Sequence, residues 1–264
     1  MKYDGKVILA AHRGDKKNYP ENTMPAFKAA LDAGCDMIET DIHMTKDGVL
    51  ILIHDTSTLR TTGVDMNVNE STYEELSGLD AGATFAPEFA GTKIPTVEEF
   101  IELIKDSDML VNWELKDYPT SLGDELAFAT ADKLVELIHK HGLSERSMMN
   151  SFSDRVLEYV HKKYNAEFTV HGQGIDTCSR SKDEAVISRE ELYDWCCLYP
   201  NVKGGTPLDN PEHFGYCTER GIIPCVCVPD EIDTYKKYID LGCRMFTSND
   251  VTVGDKILRE LGVR

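Results

Sequence analysis

Three carboxylates in the sequence are spaced as ligands of a divalent cation would be. Glu39 and Asp41 lie one residue apart in an apolar run, so on a β-strand both side chains point the same way, with Cα atoms about 6–7 Å apart. Glu114 lies in a later run of the same kind. Hard oxygen donors without a nearby thiolate suit Mg²⁺ or Ca²⁺ better than zinc or copper. The alternative is that Glu39 and Asp41 only form ion pairs with Arg13 and Lys116.

Two histidines, His12 and His54, follow apolar runs and are candidates for an acid–base pair, because imidazole titrates near neutral pH. A single barrel histidine is more often a hydrogen-bonded core residue, but two beside a predicted metal site favour catalysis. His43 shares the parity of the two neighbouring carboxylates and is a weaker candidate for contact with metal or substrate. His171 ends a later run and is a weaker candidate for lining the pocket.

The charge of the chain limits its partners. The formal net charge is −18, from 28 basic and 46 acidic side chains, which repels nucleic acids and anionic membrane surfaces. Locally, three carboxylates and one divalent cation leave roughly one negative charge, and Arg13 and Lys116 reverse it to roughly one positive charge. Such a site would accept a monoanion, and a phosphodiester is one. Metal, basic side chains and two histidines together predict phosphodiester hydrolysis.

The alternation of apolar runs with helical stretches predicts an α/β fold. Strand followed by helix, repeated many times, indicates a parallel sheet with crossover helices. With Val202–Gly205 as a weak sixth strand there are eight such units, which close a (β/α)₈ TIM barrel with its active site at the carboxyl ends of the strands. A doubly wound sheet is the alternative, but no Gly-x-Gly-x-x-Gly follows the first run. The other predicted barrel strands are Val7–Ala11, Met37–Ile42, Met109–Leu115, Met148–Phe152, Glu167–His171, Ile222–Val228 and Met245–Thr247.

One segment interrupts the alternation after the second strand. Thr45-Lys46-Asp47-Gly48 predicts a turn into an extra strand, Val49–Ile53, and residues 56–95 carry one short helical pattern, Tyr73–Leu79. Loops of this length are usually functional. We interpret residues 56–95 as a small capping insertion within a single domain that spans residues 1–264. Arg189–Leu198 is predicted as one of the crossover helices.

The remaining composition is that of an ordinary globular chain of 264 residues. No stretch approaches the roughly 18 apolar residues that span a bilayer, and the amino terminus lacks the pattern of a signal peptide, so a cytoplasmic location is expected. The eight cysteines include no Cys-x-x-Cys pair. Cys225 and Cys227 alternate with valines and are interpreted as buried small hydrophobes, with a structural zinc or redox role as the less favoured alternative.

At these residues the sequence resembles the glycerophosphodiester phosphodiesterase family. The resemblance is dense over residues 7 to 155 and continues beyond them only as the rhythm of strands and helices. Together the motifs are highly specific, although each alone would be weak. They are His12-Arg13-Gly14, Pro20-Glu21-Asn22-Thr23, Glu39-x-Asp41, Thr45-Lys46-Asp47-Gly48, His54-Asp55, Leu59-Arg60-Thr61-Thr62-Gly63, Ile94-Pro95-Thr96, Glu114-x-Lys116 and Ser151-Phe152.

The resemblance implies a (β/α)₈ barrel with a capping insertion after its second strand. It implies hydrolysis of glycerophosphodiesters to glycerol 3-phosphate and an alcohol, with one divalent cation, Mg²⁺ or Ca²⁺. Glu21 and Asn22 are expected to support the site rather than react. By motif, the metal ligands are Glu39, Asp41 and Glu114, the catalytic residues are His12 and His54, and the phosphate contacts are Arg13 and Lys116. Which histidine is base and which is acid stays open, with His12 as base taken as the working assignment.

The carboxyl-terminal half departs from the family pattern. The seventh strand reads Cys225-Val226-Cys227-Val228-Pro229, where many members carry a tryptophan beside the substrate, so the alcohol is not predicted. The expected partner is a small glycerophosphodiester, without nucleic acid or stable membrane association. Alternatives are a phosphodiesterase acting on lysophospholipid or another phosphodiester, and a non-catalytic phosphodiester-binding barrel. The choice between cyclic-phosphate and direct-water routes also stays open, as does the oligomeric state.

Overall fold

Eight parallel strands close into a barrel in the computed structural model, which describes residues 1, 3–176, 178–200, 209–229 and 231–264. Around the barrel the order is β1-β2-β4-β5-β6-β9-β10-β11, and β11 pairs with β1 to complete the circle. β3 pairs antiparallel with β2, and β7 with β8 forms a separate short ribbon. The strands are β1 (Ile8–His12), β2 (Met37–Met44), β3 (Leu50–Leu52), β4 (Leu110–Leu115), β5 (Ser147–Ser151), β6 (Thr169–Gly172), β7 (Gly174–Ile175), β8 (Cys178–Ser179), β9 (Trp195–Cys197), β10 (Ile223–Cys227) and β11 (Met245–Ser248). The predicted barrel is confirmed.

Helices surround the barrel or lie in the segments that connect its strands. They are α1 (Met24–Asp32), α2 (Leu59–Thr62), α3 (Tyr73–Leu76), α4 (Val97–Ile104), α5 (Pro119–Leu122), α6 (Asp124–Lys140), α7 (Asp154–Lys163), α8 (Arg189–Leu192), α9 (Pro211–Glu219), α10 (Ile232–Asp240) and α11 (Val251–Glu260), with 3₁₀ turns at Val68–Glu70, Pro87–Phe89 and Ser144–Arg146. The amino end of α4 is fixed by a reciprocal capping box: the Thr96 side chain accepts from the backbone N–H of Glu99, and the Glu99 side chain accepts from the backbone N–H of Thr96. No helix in the described part of the chain is long and apolar enough to cross a membrane.

Alternate residues of each strand belong to two different apolar layers. Outward-facing side chains such as Leu9, Ile38 and Trp113 pack against the helices in one large core. Inward-facing side chains such as Ile8 and Met37 fill the lower barrel interior. The same inward parity, followed towards the carboxyl ends of the strands, changes from apolar to ionisable residues. The barrel therefore has an apolar floor and a polar mouth.

Residues 56–95 connect β3 to α4 and contain α2, α3 and two of the 3₁₀ turns. They fold over a small apolar cluster of their own, shared with β3 and its end. The cluster consists of Ile51, Ile53, Val68, Leu76, Ala81 and Ile94. The predicted helix Tyr73–Leu79 is shorter in the structure and ends at Leu76.

The sixth barrel strand differs from the prediction. The prediction of Val202–Gly205 falls outside the described residues, and the strand between β6 and β10 is β9, Trp195–Cys197. The predicted helix Arg189–Leu198 is therefore wrong: α8 ends at Leu192. Apolar residues at helical spacing indicated a helix there. Pairing with β6 on one side and β10 on the other makes the segment a strand instead.

Candidate active site

Three buried carboxylates converge at the mouth of the barrel. Glu39 and Asp41 project inward from β2, and Glu114 projects from the neighbouring β4, where it is the register partner of Asp41. One carboxylate oxygen from each lies within 4.8 Å of the others. The predicted ligand set is thus brought together, and the cause is the parallel register of two adjacent strands.

Two cations lie against this cluster. The Arg13 Nε and the Lys116 Nζ are each 3.0 Å from an Asp41 oxygen, and Lys116 also contacts Glu114. Burial opposes ionisation of Asp41, but Lys116 and then Arg13 outweigh it and lower the pKa of that carboxyl. For Asp41 the ion pairs of the alternative interpretation are therefore present.

Glu39 differs from Asp41 in its hydrogen-bond partners and in the direction of its pKa shift. Its Oε2 accepts the backbone N–H of Arg13 at 3.0 Å, and its Oε1 is buried with no hydrogen-bond partner. Burial first, and then the charges of Asp41 and Glu114, raise the pKa of Glu39 well above its usual value. A buried, unpaired carboxylate oxygen facing two further carboxylates is what a divalent cation would compensate. The donor set therefore fits Mg²⁺ or Ca²⁺.

The loop after β1 holds the carboxylates in place by hydrogen bonds. Arg13 and Asn22 both have left-handed backbone conformations, with φ of 55° and 54°. This geometry lets the Asn22 Nδ2 donate to Asp41 at 2.8 Å while its Oδ1 accepts from the Thr40 hydroxyl at 2.9 Å. Gly14 follows at φ 78°, and a Cβ there would lie 2.7 Å from the backbone of Ala26. The turn thus needs glycine at this position.

His12, at the end of β1, is held in one tautomer. Its Nδ1 donates to the Asn249 Oδ1 at 2.7 Å, so in the neutral ring the lone pair is on Nε2. That Nε2 is 4.0 Å from Glu39. Burial, followed by the charges of Arg13 and Lys16, lowers the pKa of His12 well below its usual value. At neutral pH the ring is uncharged and can accept a proton.

His54, after β3, lies on the solvent side of the carboxylates. Its Nδ1 donates to Asp55 at 2.6 Å, and Asp55 in turn accepts from the Arg60 guanidinium. Arg60 also donates to Glu21 at 2.7 Å, and Glu21 accepts from Arg13 at 2.9 Å. Burial would raise the pKa of Glu21, but Arg60 and Arg13 lower it to about 2. This chain of contacts links the loop after β1, the end of β3 and α2.

An open cleft of about 730 Å³ adjoins the carboxylates, with His54 and Lys116 in its wall. Part of its wall is cationic and aromatic, with Tyr118, Phe152, Arg180 and Lys182 among its lining residues. The Lys182 Nζ lies 4.6 Å from the ring centre of Tyr118, and Lys116 lies 5.4 Å from that of Phe152. A negatively charged ligand would be drawn into this cleft despite the acidic surface.

Two predicted residues lie apart from the carboxylates. His43 is buried and lines the cleft, but its Nδ1 is 2.5 Å from Asp117 and its Nε2 is 3.3 Å from the His54 carbonyl, so it holds the segment after β3 and is not part of the carboxylate cluster. His171 is not among the residues that line the cleft, because it lies lower in the barrel, next to Asn112 and Cys225.

Sequence reasoning missed several polar residues that touch the site. Asn249 could have been found, since it directly follows the last strand at the mouth of the barrel. Asn150, whose amide is 3.4 Å from Glu114, has the inward parity of β5 and could also have been found. Arg180 and Lys182 lie in a connection without periodicity, and nothing in the sequence pattern places them at the cleft.

Comparison with known proteins gives a family match over most of the chain. The model of the glycerophosphoryl diester phosphodiesterase family matches residues 12–262. Glycerophosphodiester phosphodiesterases of Caldanaerobacter subterraneus and Bacillus altitudinis are 45% identical over 157 residues and 41% identical over 159 residues. These alignments cover 60% and 58% of the chain but only 63% and 61% of the relatives, which is less than two thirds of their length.

Solved structures share the fold at low sequence identity. An Oleispira antarctica phosphodiesterase, determined in complex with the product sn-glycerol-3-phosphate, superposes with a TM-score of 0.82 at 21% identity. The match covers 96% of this chain and 97% of that one. At this level of identity the likeness concerns the fold.

Proposed function

The chain belongs to the glycerophosphoryl diester phosphodiesterase family, and from this premise we propose that it hydrolyses glycerophosphodiesters to glycerol 3-phosphate and an alcohol, using one divalent cation. The observation that carries the proposal is the unpaired Glu39 oxygen within the carboxylate cluster, with His12 on one side and the His54-lined cleft beside it. A cation, a proton acceptor and a proton donor are the groups that phosphodiester hydrolysis requires.

Glu39, Asp41 and Glu114 would hold the cation, Mg²⁺ or Ca²⁺, by their carboxylate oxygens. When bound, it supplies positive charge to the non-bridging oxygens of the phosphodiester, where negative charge accumulates in the transition state. Arg13 and Lys116 would stabilise the same negative charge on the phosphodiester. The Arg13 Nε and the Lys116 Nζ each lie 3.0 Å from an Asp41 oxygen. Their positions next to the carboxylates make them the phosphate contacts in this proposal.

His12 acts as the general base. Its Nδ1 is committed to Asn249, so the Nε2 lone pair is directed elsewhere and takes the proton of the attacking hydroxyl. The attacking group is water or the glycerol 2-hydroxyl, and both routes use the same residues. The lowered pKa of His12 keeps this ring uncharged and ready to accept the proton at neutral pH.

His54 acts as the general acid. Its ring lines the cleft and its side chain is 32% exposed, against 15% for His12, so it lies on the side from which the alcohol departs. As the phosphorus–oxygen bond to the alcohol breaks, the electron pair remains on the leaving oxygen and His54 delivers a proton to it. Burial, followed by the charge of Lys116, lowers the pKa of His54, and Asp55 at 2.6 Å opposes this shift while it orients the ring.

Residues 56–95 form a cap over this mouth in the proposal. Thr56, Ser57, Leu59 and Arg60 line the cleft, and Arg60 connects the segment to Asp55 and Glu21. The cap would bound the space that the alcohol occupies.

A lysophospholipid is the second candidate substrate, because of the apolar surface of the same segment. Leu59, Val64 and Phe85 are each more than 40% exposed, and Leu59 also lines the cleft. Exposed apolar side chains next to a cleft suit an acyl chain. Comparing turnover of lysophosphatidylcholine with that of glycerophosphocholine, with and without Leu59→Ser, separates the two substrates.

The decisive experiment measures glycerol 3-phosphate release from a panel of glycerophosphodiesters. We expect release to stop with a chelator and to return with Mg²⁺ or Ca²⁺. Glu39→Gln, which keeps the shape of the side chain and removes its charge, should not recover with either ion. No release from any member of the panel under all these conditions would overturn the proposal.

A further inference from the structure

A second cluster of metal-ligating side chains lies inside the barrel. His171 of β6, Cys197 of β9 and Cys225 of β10 each offer a ligand atom within 4.8 Å of the others, and all three side chains are buried. Asn112, which contacts His171, precedes Glu114 by two residues on β4. His171 therefore lies beside the inward-facing position directly below Glu114, so the cluster is deeper in the barrel than Glu114.

The strand register brings these three residues together. Cys197 and Cys225 are direct register partners on adjacent parallel strands, so their side chains point inward side by side. At the other edge of β9, Trp195 is the register partner of His171 in β6. The Nε2 of His171 lies 3.1 Å from the Cys225 sulfur. Three neighbouring strands thus converge on one point without any loop taking part.

The opposite edge of the imidazole carries the partner that a metal-bound histidine needs. The Asn112 side-chain amide is 3.1 Å from the His171 Nδ1, and the Asn112 Oδ1 is buried with no hydrogen-bond partner. A half-turn of this amide lets Oδ1 accept the Nδ1 proton, which leaves the Nε2 lone pair facing the two sulfurs. A hydrogen bond at the far nitrogen is the usual support of a histidine ligand.

We propose that His171, Cys197 and Cys225 bind one zinc ion, in a site distinct from the carboxylate site above it. Two thiolates and one imidazole are borderline-soft ligands, which suit Zn²⁺ and not Mg²⁺ or Ca²⁺. Binding releases the two thiol protons, and the two thiolate charges then neutralise the ion. A neutral complex is compatible with the surrounding apolar interior, where a lone thiolate would not be.

The zinc ion would link β6, β9 and β10 from within. β9 has only three residues, and its barrel pairing is correspondingly short. A metal that joins this strand to both neighbours would stabilise the barrel on the side that carries Arg180 and Lys182. The role is structural, because the cluster is not among the residues that line the cleft.

The test measures zinc content of the full chain under reducing conditions. Because the site is buried, the protein is refolded with Zn²⁺ present and saturating Mg²⁺ to occupy the carboxylate site, then desalted and assayed for metal. We expect one zinc ion per chain in the parent, and also in Cys35→Ala, a buried thiol outside the cluster. Cys197→Ala and Cys225→Ala should retain none.

Cobalt gives a readout independent of stability. Refolding with Co²⁺ should produce thiolate-to-cobalt absorption bands in the parent and in Cys35→Ala, and these bands should be absent in Cys225→Ser. Should a cysteine variant fail to fold, His171→Gln, which keeps a polar side chain, replaces it and should lose the bands. Absence of zinc and of the bands in the parent would overturn the site, as would zinc retained equally by the cysteine variants.

Discussion

The Nδ1 of His12, at the end of the first barrel strand, donates to the Asn249 Oδ1, just after the last strand, at 2.7 Å. This bond spans the point where the barrel closes, because β1 and β11 are register neighbours. It fixes the tautomer of His12 and directs Nε2 away from the barrel wall. The Asn249 amide therefore bridges the two strands that close the barrel and also orients the proposed base.

Asn249→Ala should lower kcat for glycerol 3-phosphate release by about 10- to 100-fold, because His12 then loses the group that sets its tautomer. The substrate does not touch Asn249 in the proposed mechanism, so KM should change little. In a His12→Ala background the same substitution should have no further effect. An additive loss in the double variant would show that Asn249 acts independently of His12.

His12→Ala and His54→Ala should each reduce turnover of a glycerophosphodiester with an alkyl alcohol by about 10²- to 10⁴-fold without unfolding the protein. Their roles separate with a nitrophenyl leaving group, which departs without protonation. On that substrate His54→Ala should approach the parent rate, while His12→Ala stays impaired. The reverse pattern would exchange the assigned roles of the two histidines.

The carboxylate cluster makes a prediction about thermal stability. Because Glu39 is buried, unpaired and close to two other carboxylates, Glu39→Gln should melt in chelator at a temperature equal to or above that of the parent. Addition of Mg²⁺ or Ca²⁺ should raise the melting temperature of the parent and not that of the variant. Equal shifts in both proteins would place the cation elsewhere.

Much of the fold could be predicted, because each barrel strand is buried on both faces and most form a recognisable apolar run. β9 could not, since a strand of three residues is too short for periodicity and only its neighbours define it. At the site, the convergence of Glu39, Asp41 and Glu114 could be predicted from strand parity and from the strand ends on which they lie. His171 shows the limit of that reasoning: parity puts it inside the barrel but does not specify the layer, and it lies below the polar mouth.

Asp117 should account for part of the acid sensitivity of the fold. It is buried and accepts from His43 at 2.5 Å, the Met44 N–H at 2.9 Å and Thr130 at 2.7 Å. Burial would raise the pKa of Asp117, but the bond from His43 and these other donors lower it below the usual value. A lowered carboxyl pKa stabilises the fold at pH values above the ordinary value near 4, and this stabilisation is lost as the pH falls further.

Asp117→Asn should therefore reduce the free energy of unfolding by about 2–4 kcal/mol at neutral pH, because His43 loses its charged partner within the core. The difference from the parent should narrow as the pH falls below about 4. Urea unfolding at several pH values measures both effects. Asp106→Asn, at an exposed position, is the control and should change stability little. A difference that stays constant down to low pH would contradict the ionised state of Asp117.

The charge of the cleft makes a prediction about the alcohol. Arg180 and Lys182 line the side of the cleft next to Phe152 and Tyr118. Two cations there disfavour a choline group and favour an anionic or uncharged alcohol, so kcat/KM should be higher for glycerophosphoserine or glycerophosphoglycerol than for glycerophosphocholine.

Lys182→Glu should raise kcat/KM for the choline ester by about 3- to 10-fold, the effect of roughly 1 kcal/mol at a partly exposed site, and lower it for the serine ester. Lys163→Glu, whose side chain lies outside this cleft, is the matched control and should leave the ratio of the two substrates unchanged. A ratio that is the same in the parent and in Lys182→Glu would show that the alcohol does not occupy this side of the cleft.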